Sequence, residues 1–201
     1  MSTFYDIHAE DFSKSRFRIW PRVKDFLDKL PPNSKVLDIG CGNGKNMNYR
    51  KDLEIYGIEH SQSLTDICLK QNLNVVQGNA LNLPFKDESF DAVIMIAVIH
   101  HINPEEHYKV LNEIKRVLQP EGTCLITNWA VEQPENAKRQ FTRGLNMVTW
   151  KNKEDNPLPY WVMDYQQAKD FTNNLPTDLK FINLDWDAGN WNILLTKVNK
   201  T

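Results

Sequence analysis

Short apolar runs alternate with longer amphipathic stretches along most of the chain. Seven of these runs are bounded by turn-forming residues and predict strands at residues 35–39, 54–58, 74–77, 92–96, 123–127, 181–186 and 191–197. Strands that alternate with helical patterns are typical of βαβ units around a mostly parallel sheet. The pattern therefore predicts an α/β domain.

Two stretches have apolar residues three and four positions apart, which predicts amphipathic helices. One begins at Pro21 and ends before the prolines at 31 and 32, and the other covers residues 104–118 and ends at the turn 120–122. The apolar stripes are Val23, Phe26, Leu27 and Leu30 in the first helix, and Val110, Leu111, Ile114, Val117 and Leu118 in the second.

The last two predicted strands are separated only by Asp187-Ala188-Gly189. A connection this short cannot contain a crossover helix, so the final pair is predicted to be an antiparallel hairpin. Residues 129–165 follow the fifth strand and show no clear period. We expect them to form an insertion on the substrate side.

The composition is that of a folded domain, with 41% hydrophobic and 25% charged residues. The longest apolar run, residues 92–99, is too short to span a bilayer, and the first residues, MSTFYDIHAED, do not have the pattern of a secretory signal. We therefore expect a cytoplasmic protein with no membrane segment. The three cysteines are an odd number at spacings that suit neither a disulfide framework nor a zinc knuckle, so reduced thiols are expected.

One motif carries a chemical prediction: the predicted first strand runs directly into glycines in the sequence VLDIGCGNG. The glycines Gly40, Gly42 and Gly44 allow a ligand to approach the backbone, and Asp38 at the strand's end can accept hydrogen bonds. Glu59 ends the second strand at the spacing suited to both hydroxyls of a ribose. Together these residues indicate a cofactor that contains a nucleoside.

The spacing of this motif narrows the choice of cofactor. It is GxGxG, so Lys45 stands where a pyrophosphate-binding fold needs its third glycine, which disfavours nicotinamide and flavin dinucleotides. Asn79 and Ala80 follow the third strand, where an amide could bind an adenine edge. Ala97, directly after the fourth strand, is assigned to the same site.

The segments VLDIGCGNG, GNALNLPF and SFDAVI, in series with the acidic residue that ends strand two, resemble the class I S-adenosylmethionine-dependent methyltransferases. The resemblance implies a Rossmann-like seven-stranded sheet with its last strand antiparallel, and S-adenosylmethionine as the cofactor. We divide residues 1–201, taken as a single domain, into an N-terminal helical cover (1–33), a cofactor-binding core (34–128), the insertion (129–165) and a C-terminal helix with the strand hairpin (166–201).

The segments SKSRFRIWPRVKDFL, AVIHHI, NWAVEQ and GNWNILL are similar to the eukaryotic tRNA wobble-uridine carboxymethyl methyltransferases. That family converts 5-carboxymethyluridine in the tRNA anticodon loop into its methyl ester. A carboxylate is ionised at pH 7, so this reaction requires positioning and exclusion of water but no general base and no metal.

Such a site needs a cation for the substrate carboxylate and aromatic surfaces for the uridine. Arg16 and Arg18 can supply the cation, and the family pattern favours Arg16. His101, favoured over His100, joins Arg16 as a candidate catalytic residue. The other candidate substrate contacts are Trp20, His100, Trp129, Glu132 and Asn190.

Each of these residues also has a purely structural interpretation. The arginines could be solvated, Trp20 could pack beside the helix start, and one histidine could serve only as a structural hydrogen-bonding group. Glu132 could stabilise the loop, and Asn190 could belong simply to the hairpin turn. These alternatives stay open from the sequence.

The chain departs from the family pattern in residues 151–163, which are shorter and less basic, and Thr149 precedes Trp150 where proline is usual. Positive charge nearby is limited to Lys138, Arg139, Arg143, Lys151 and Lys153. The net charge of −2 neither suggests nor excludes RNA.

The family works with a small zinc-binding activator subunit, so the resemblance implies a heterodimer. In the usual strand order of this fold, the strand from Leu73 to Gln77 is a sheet edge without proline or lysine to protect it. We expect the activator to bind there. Two other functions remain in competition: a small-molecule O- or N-methyltransferase, and an inactive cofactor-binding subunit.

Overall fold

The computed structural model describes residues 4–150 and 153–199. The helices are α1 (Phe4–Ser15), α2 (Pro21–Asp28), α3 (Gln62–Lys70), α4 (Pro104–Val117) and α5 (Tyr165–Asn173), with a 3-10 turn at Ile99–His101. The strands are β1 (Lys35–Ile39), β2 (Glu54–Glu59), β3 (Asn74–Gln77), β4 (Phe90–Ile96), β5 (Leu118–Trp129), β6 (Gly144–Trp150), β7 (Lys153–Val162), β8 (Leu179–Asp187) and β9 (Asn190–Lys197).

Seven strands form one sheet in the order β3-β2-β1-β4-β5-β9-β8. β9 pairs antiparallel with both β5 and β8, and all pairs among β1 to β5 are parallel. This confirms the predicted Rossmann-like sheet with an antiparallel last strand. β3 and β8 are its two edges.

The core lies on both faces of this sheet. On one face, α4 buries Val110, Leu111, Ile114 and Val117 against β1, β4 and β5, as its apolar stripe predicts. On the other face, the short helix α2 buries its apolar residues among those of β1 and β4. Burial of such side chains is the main stabilising contribution to the fold.

The turn at residues 120–122 lies inside β5 and does not separate it from α4. Phe90 pairs with Leu118 and Ala92 with Thr123, so residues 119–122 bulge out of the ladder between these two pairs. The prediction that β5 spans only residues 123–127 was therefore too short, because a bulge with turn residues looks like a strand boundary in sequence.

The segment 129–165 contains an antiparallel β6–β7 hairpin that the sequence pattern does not predict. Leu145 and Met147 are exposed while Val148 is buried, so apolar residues occupy both faces of β6 and no alternation results. Pro159 in β7 pairs with Met147. Proline is tolerated there because both strands of a two-stranded ribbon are edges.

None of the helices in the described ranges is long and apolar enough to cross a membrane. All three cysteines, Cys41, Cys68 and Cys124, are buried free thiols.

Candidate functional site

The turn after β1 forms one wall of a cavity at the carboxyl ends of the parallel strands. Gly40 and Gly42 have φ values of +69° and +59°, which residues with a side chain rarely adopt. A Cβ on Gly40 would lie 2.4 Å from a methyl group of Val98. Glycine is therefore required where the chain turns sharply from strand to cavity.

Glu59 ends β2 inside the same cavity, and the backbone fixes its carboxylate. One oxygen accepts a hydrogen bond from the Gly42 N–H at 2.9 Å, and the other accepts from the Ser61 N–H at 2.9 Å. Burial raises the pKa of Glu59, and the backbone hydrogen bonds oppose that rise. The remaining lone pairs can accept hydrogen bonds from a pair of ligand hydroxyl groups.

Asp38 and Asn46 form a buried polar pair beneath the glycine loop. The Asn46 amide donates to Asp38 Oδ2 at 3.3 Å, while Asp38 Oδ1 and Asn46 Oδ1 have no hydrogen-bond partner in the described part of the chain. Burial raises the pKa of Asp38 to about 7, although the hydrogen bond from Asn46 and the positive charge of Lys45 oppose that rise. Two unsatisfied buried acceptors are costly, and a ligand ammonium group would satisfy them.

The shift at Asp38 predicts how stability depends on pH. Because the folded-state pKa is raised, the folded chain holds the proton more tightly between about pH 4 and pH 7, so Asp38 contributes stability below pH 4 that is lost as the pH rises. The contribution is on the order of 4 kcal/mol across that window. Denaturant titrations without ligand, from pH 4.5 to 7.5, should show the advantage of the wild type over Asp38→Asn shrinking steadily; parallel curves would contradict the assignment.

Two cationic side chains, Arg16 and Lys45, line the cavity, which has a volume of about 380 Å³. Burial lowers the pKa of Lys45, and the positive charge of Arg16 lowers it further. Lys45 Nζ lies 5.4 Å from the ring centroid of Trp20, and the Arg16 guanidinium lies 5.3 Å from that of Phe12. Within the described ranges neither forms an ion pair, so the two together favour an anion such as a carboxylate.

An aromatic cluster forms the opposite wall. The ring of Tyr160, from β7, lies 4.5 Å from the ring of His100, 4.7 Å from that of His101 and 5.3 Å from that of Trp129. The Tyr5 hydroxyl, from α1, is 2.9 Å from His101 Nε2. The rings of His101 and Trp129 stand at 89° and 90° to that of Tyr160, so the cluster forms a largely desolvated aromatic corner that can contact one face and one edge of a planar ring.

Both histidines of this cluster are neutral at pH 7. Burial lowers the pKa of His101 to about 4. It also lowers the pKa of His100 well below its usual value, with a contribution from His101. His101 can therefore donate or accept a hydrogen bond but cannot supply a positive charge.

The residues predicted for the nucleoside end also lie here. Asn79 and Ala80 line the cavity. The side-chain oxygen of Asn79, Oδ1, accepts from the Leu81 N–H at 2.9 Å, so the NH₂ group of this amide is the part that can donate to a ligand. Ala97 lines it too, with a φ of +57° and its N–H bound to Thr127.

Most of the candidate residues line this one cavity: Arg16, Trp20, Gly40, Gly42, Glu59, Asn79, Ala80, Ala97, His100, His101 and Trp129. Asp38 lies behind it, and a Cβ on Gly44 would meet Leu73, away from the ligand space. Arg18 is exposed, with its guanidinium 5.5 Å from the ring of Phe17. Lys151 is outside the described residues, and nothing is described of the Lys153 side chain.

The last two substrate candidates, Glu132 and Asn190, lie outside the cavity. A Glu132 carboxylate oxygen accepts from the Tyr165 N–H at 3.0 Å, which anchors the start of α5. The Asn190 NH₂ group donates to the carbonyls of Asp187 and Ala188 at 3.3 and 3.2 Å. Both side chains thus have structural contacts of the kind that their alternative interpretations predict.

The lining residues that the sequence did not assign to the site include Tyr5, Phe12, Lys45, Asn46 and Tyr160, whose side chains take part in the contacts described above or lie beside them. The spacing of Tyr5 and Phe12 places both on one helix face, and Lys45 and Asn46 directly follow the glycine motif. The sequence pattern could therefore have identified these four as site residues. Tyr160 had no such signal, since the pattern did not predict its strand.

Comparison with known proteins agrees with this geometry. A family model described as "Methyltransferase domain" matches residues 37–126. The chain is 44% identical over 142 residues to the mouse tRNA (carboxymethyluridine(34)-5-O)-methyltransferase ALKBH8, a match that covers 70% of this chain and 21% of that protein. It is 33% identical over 175 residues to the Saccharomyces cerevisiae tRNA (carboxymethyluridine(34)-5-O)-methyltransferase, covering 86% of this chain and 60% of the yeast protein. The chain thus spans about a fifth to three fifths of these relatives.

Solved structures share the fold at low sequence identity. A SAM-dependent methyltransferase from Methanosarcina mazei superposes with a TM-score of 0.72 at 16% identity, covering 90% of this chain and 99% of that one. A chain of the complex between the Haloferax volcanii Trm112 methyltransferase activator and the putative methyltransferase superposes with a TM-score of 0.73 at 18% identity, covering 99% and 100%.

Proposed function

The chain belongs to the class I S-adenosylmethionine-dependent methyltransferases, and from that premise we propose that it esterifies the carboxylate of 5-carboxymethyluridine at the wobble position of tRNA. The observation that carries the proposal is the pair of cations, Arg16 and Lys45, in the cavity that the aromatic cluster also lines. A carboxylate attached to a planar base needs both features.

The residues of the cavity fit S-adenosylmethionine. The unsatisfied oxygens of Asp38 and Asn46 suit its ammonium group, the fixed carboxylate of Glu59 suits the ribose hydroxyls, and the Asn79 amide suits the adenine edge. When bound, this cofactor supplies an electrophilic methyl group on a positively charged sulfur.

The chain's own residues then position the acceptor and exclude water. The substrate carboxylate is already ionised at pH 7, so no residue has to remove a proton. Arg16 holds and orients the carboxylate through its planar fork of donors. Tyr160 stacks on the uracil ring, and Trp129, whose ring plane is perpendicular to that of Tyr160, contacts the edge of the base. His101, neutral and hydrogen-bonded to Tyr5, contributes a polar contact to the base.

We further propose that a small zinc-binding activator subunit pairs with the β3 edge. β3 is an edge of the sheet, Val76 on it is 41% exposed, and Leu69 on the adjacent α3 is 51% exposed. The fold shared with a chain of the archaeal activator complex supports a partner of this kind. The opposite edge, β8, also exposes apolar side chains, Phe181 and Ile182. A charged substitution at Val76 distinguishes the two edges, because it should weaken binding of the activator only if the activator pairs with β3.

The esterification can be tested with labelled methyl donor and tRNA that carries unesterified 5-carboxymethyluridine, with the chain purified with and without the activator. We expect label on the tRNA that mild alkali releases, because a methyl ester hydrolyses where a methyl on ring carbon or nitrogen survives. Alkali-stable label would contradict the carboxylate as acceptor. Label on metabolites at an unchanged rate after ribonuclease treatment would favour a small-molecule methyltransferase, and cofactor binding with no transfer would favour an inactive subunit.

A further inference from the structure

A second cavity, of about 320 Å³, adjoins the first along the carboxyl edge of the sheet. Trp20 and Trp129 line both cavities and so stand at the boundary between them. The rest of the lining comes from the start of α2, the segment after β5, the β8–β9 turn at residues 187–190 and Asn192 in β9. We propose that this second cavity binds the base of a nucleotide that flanks the target uridine in the RNA chain.

The charges of the second cavity suit a base better than a phosphate. Its arginine, Arg22, is paired with Asp185, the guanidinium and carboxylate being 2.6 Å apart. The turn adds the carboxylate of Asp187, and the other polar side chains of the lining are amides. With its cation neutralised and an acid present, the cavity lacks the positive charge that phosphate contacts require.

The amides offer acceptors for the N–H groups of a base. The Gln133 NH₂ group donates to the carbonyls of Ala130 and Gly189 at 2.7 and 2.8 Å, and the Asn190 NH₂ group is used by the turn. In these hydrogen bonds, both amides donate through their nitrogens. The side-chain oxygens of Gln133 and Asn190 can therefore accept hydrogen bonds from a base. Two indoles beside such acceptors form a stacking and hydrogen-bonding site of the kind used for single-stranded bases.

Contacts within the chain fix the floor of this cavity. Gly189 has a φ of +82°, and a Cβ there would lie 2.5 Å from the Gln133 side chain. The Trp186 indole donates to the Glu132 carbonyl at 2.7 Å and ties the end of β8 to the segment after β5. A preformed site loses little entropy when a base binds.

Continuity with the substrate cavity identifies the occupant. This inference rests on the proposed function, because a target uridine in the first cavity remains joined to its neighbours, and the adjoining cavity is where a neighbouring base can be accommodated on the far side of the indoles. A free metabolite would have no attached group to place there.

The test measures affinity for anticodon stem-loops that are intact or abasic on the 5′ or the 3′ side of the target. For the wild-type chain purified with the activator and loaded with S-adenosylhomocysteine, we expect one of the two abasic loops to bind about tenfold more weakly than the intact loop. Ala188→Phe fills the second cavity from the β8–β9 turn and should bind all three loops alike. Asn190→Ala removes one amide acceptor together with the two hydrogen bonds that this side chain gives the turn, and it should reduce the difference between the loops.

The matched control is Glu121→Phe, which adds the same side chain at another exposed turn residue with a positive φ, away from both cavities. It should keep the wild-type difference between loops, and all variants should bind the cofactor product normally by calorimetry. Equal binding of the three loops by the wild type, or a tenfold difference that persists in Ala188→Phe, would overturn the second subsite alone. Failure to bind any stem-loop despite normal cofactor binding would remove the proposed RNA substrate as well.

Discussion

Replacing Glu59 with alanine is expected to weaken S-adenosylhomocysteine binding by at least about 100-fold. The carboxylate is the buried acceptor assigned to two ribose hydroxyls, and hydrogen bonds to a charged group contribute about 1.5–3 kcal/mol each. The same carboxylate also accepts from the Gly42 and Ser61 N–H groups, so its removal loosens the loop that contacts the ligand. Isothermal titration calorimetry gives the change in affinity directly.

Glu54→Ala is the matched control for this experiment. Glu54 begins the same strand, is exposed and lies outside the cavity, so its replacement removes an acid without touching the site. Its affinity should stay within twofold of the wild type. If Glu59→Ala also bound the ligand normally while remaining folded, the assignment of this cavity to the cofactor would have to be abandoned.

The central sheet could be predicted from the sequence because each of its strands and its final hairpin is defined by residues close together in the chain. β1 and β3 match the predicted residues, since each is a short apolar run between turn signals, and the glycine motif lies where a strand must meet a ligand. The three-residue connection between β8 and β9 leaves only an antiparallel pairing. These features require no knowledge of distant contacts.

The walls of the site depend on contacts between distant segments, which is why the sequence predicts them poorly. The helix α1 fully buries only Phe4 and Ala9, so its apolar pattern is weak, and its role is visible only once Tyr5 reaches His101. Tyr160 comes from a hairpin without alternation. The charge of Lys45 becomes informative once the fold brings Arg16, from the segment after α1, close enough to lower the pKa of Lys45, with no ion pair to either cation within the described ranges.

Replacing Arg16 with alanine is expected to lower the rate of methyl transfer to tRNA about 1,000-fold while cofactor affinity changes little. A charged donor that positions the reacting group in a desolvated site is worth a factor of about 10²–10³ in rate, and more where it also orients the substrate. Lys45 remains in Arg16→Ala and can still attract a carboxylate, but a point charge cannot orient it through two parallel hydrogen bonds. Arg16→Lys should therefore restore only a small part of the rate.

Arg18→Ala separates this effect from a general loss of positive charge. Arg18 lies two residues away and is exposed, so its removal leaves the cavity unchanged while lowering the net charge by the same amount. Single-turnover transfer under saturating cofactor, together with calorimetry, distinguishes the possibilities. Normal turnover in Arg16→Ala would make this arginine a surface residue, whereas a large loss of cofactor affinity would assign the two-cation site to the carboxylate of the cofactor instead of that of the substrate.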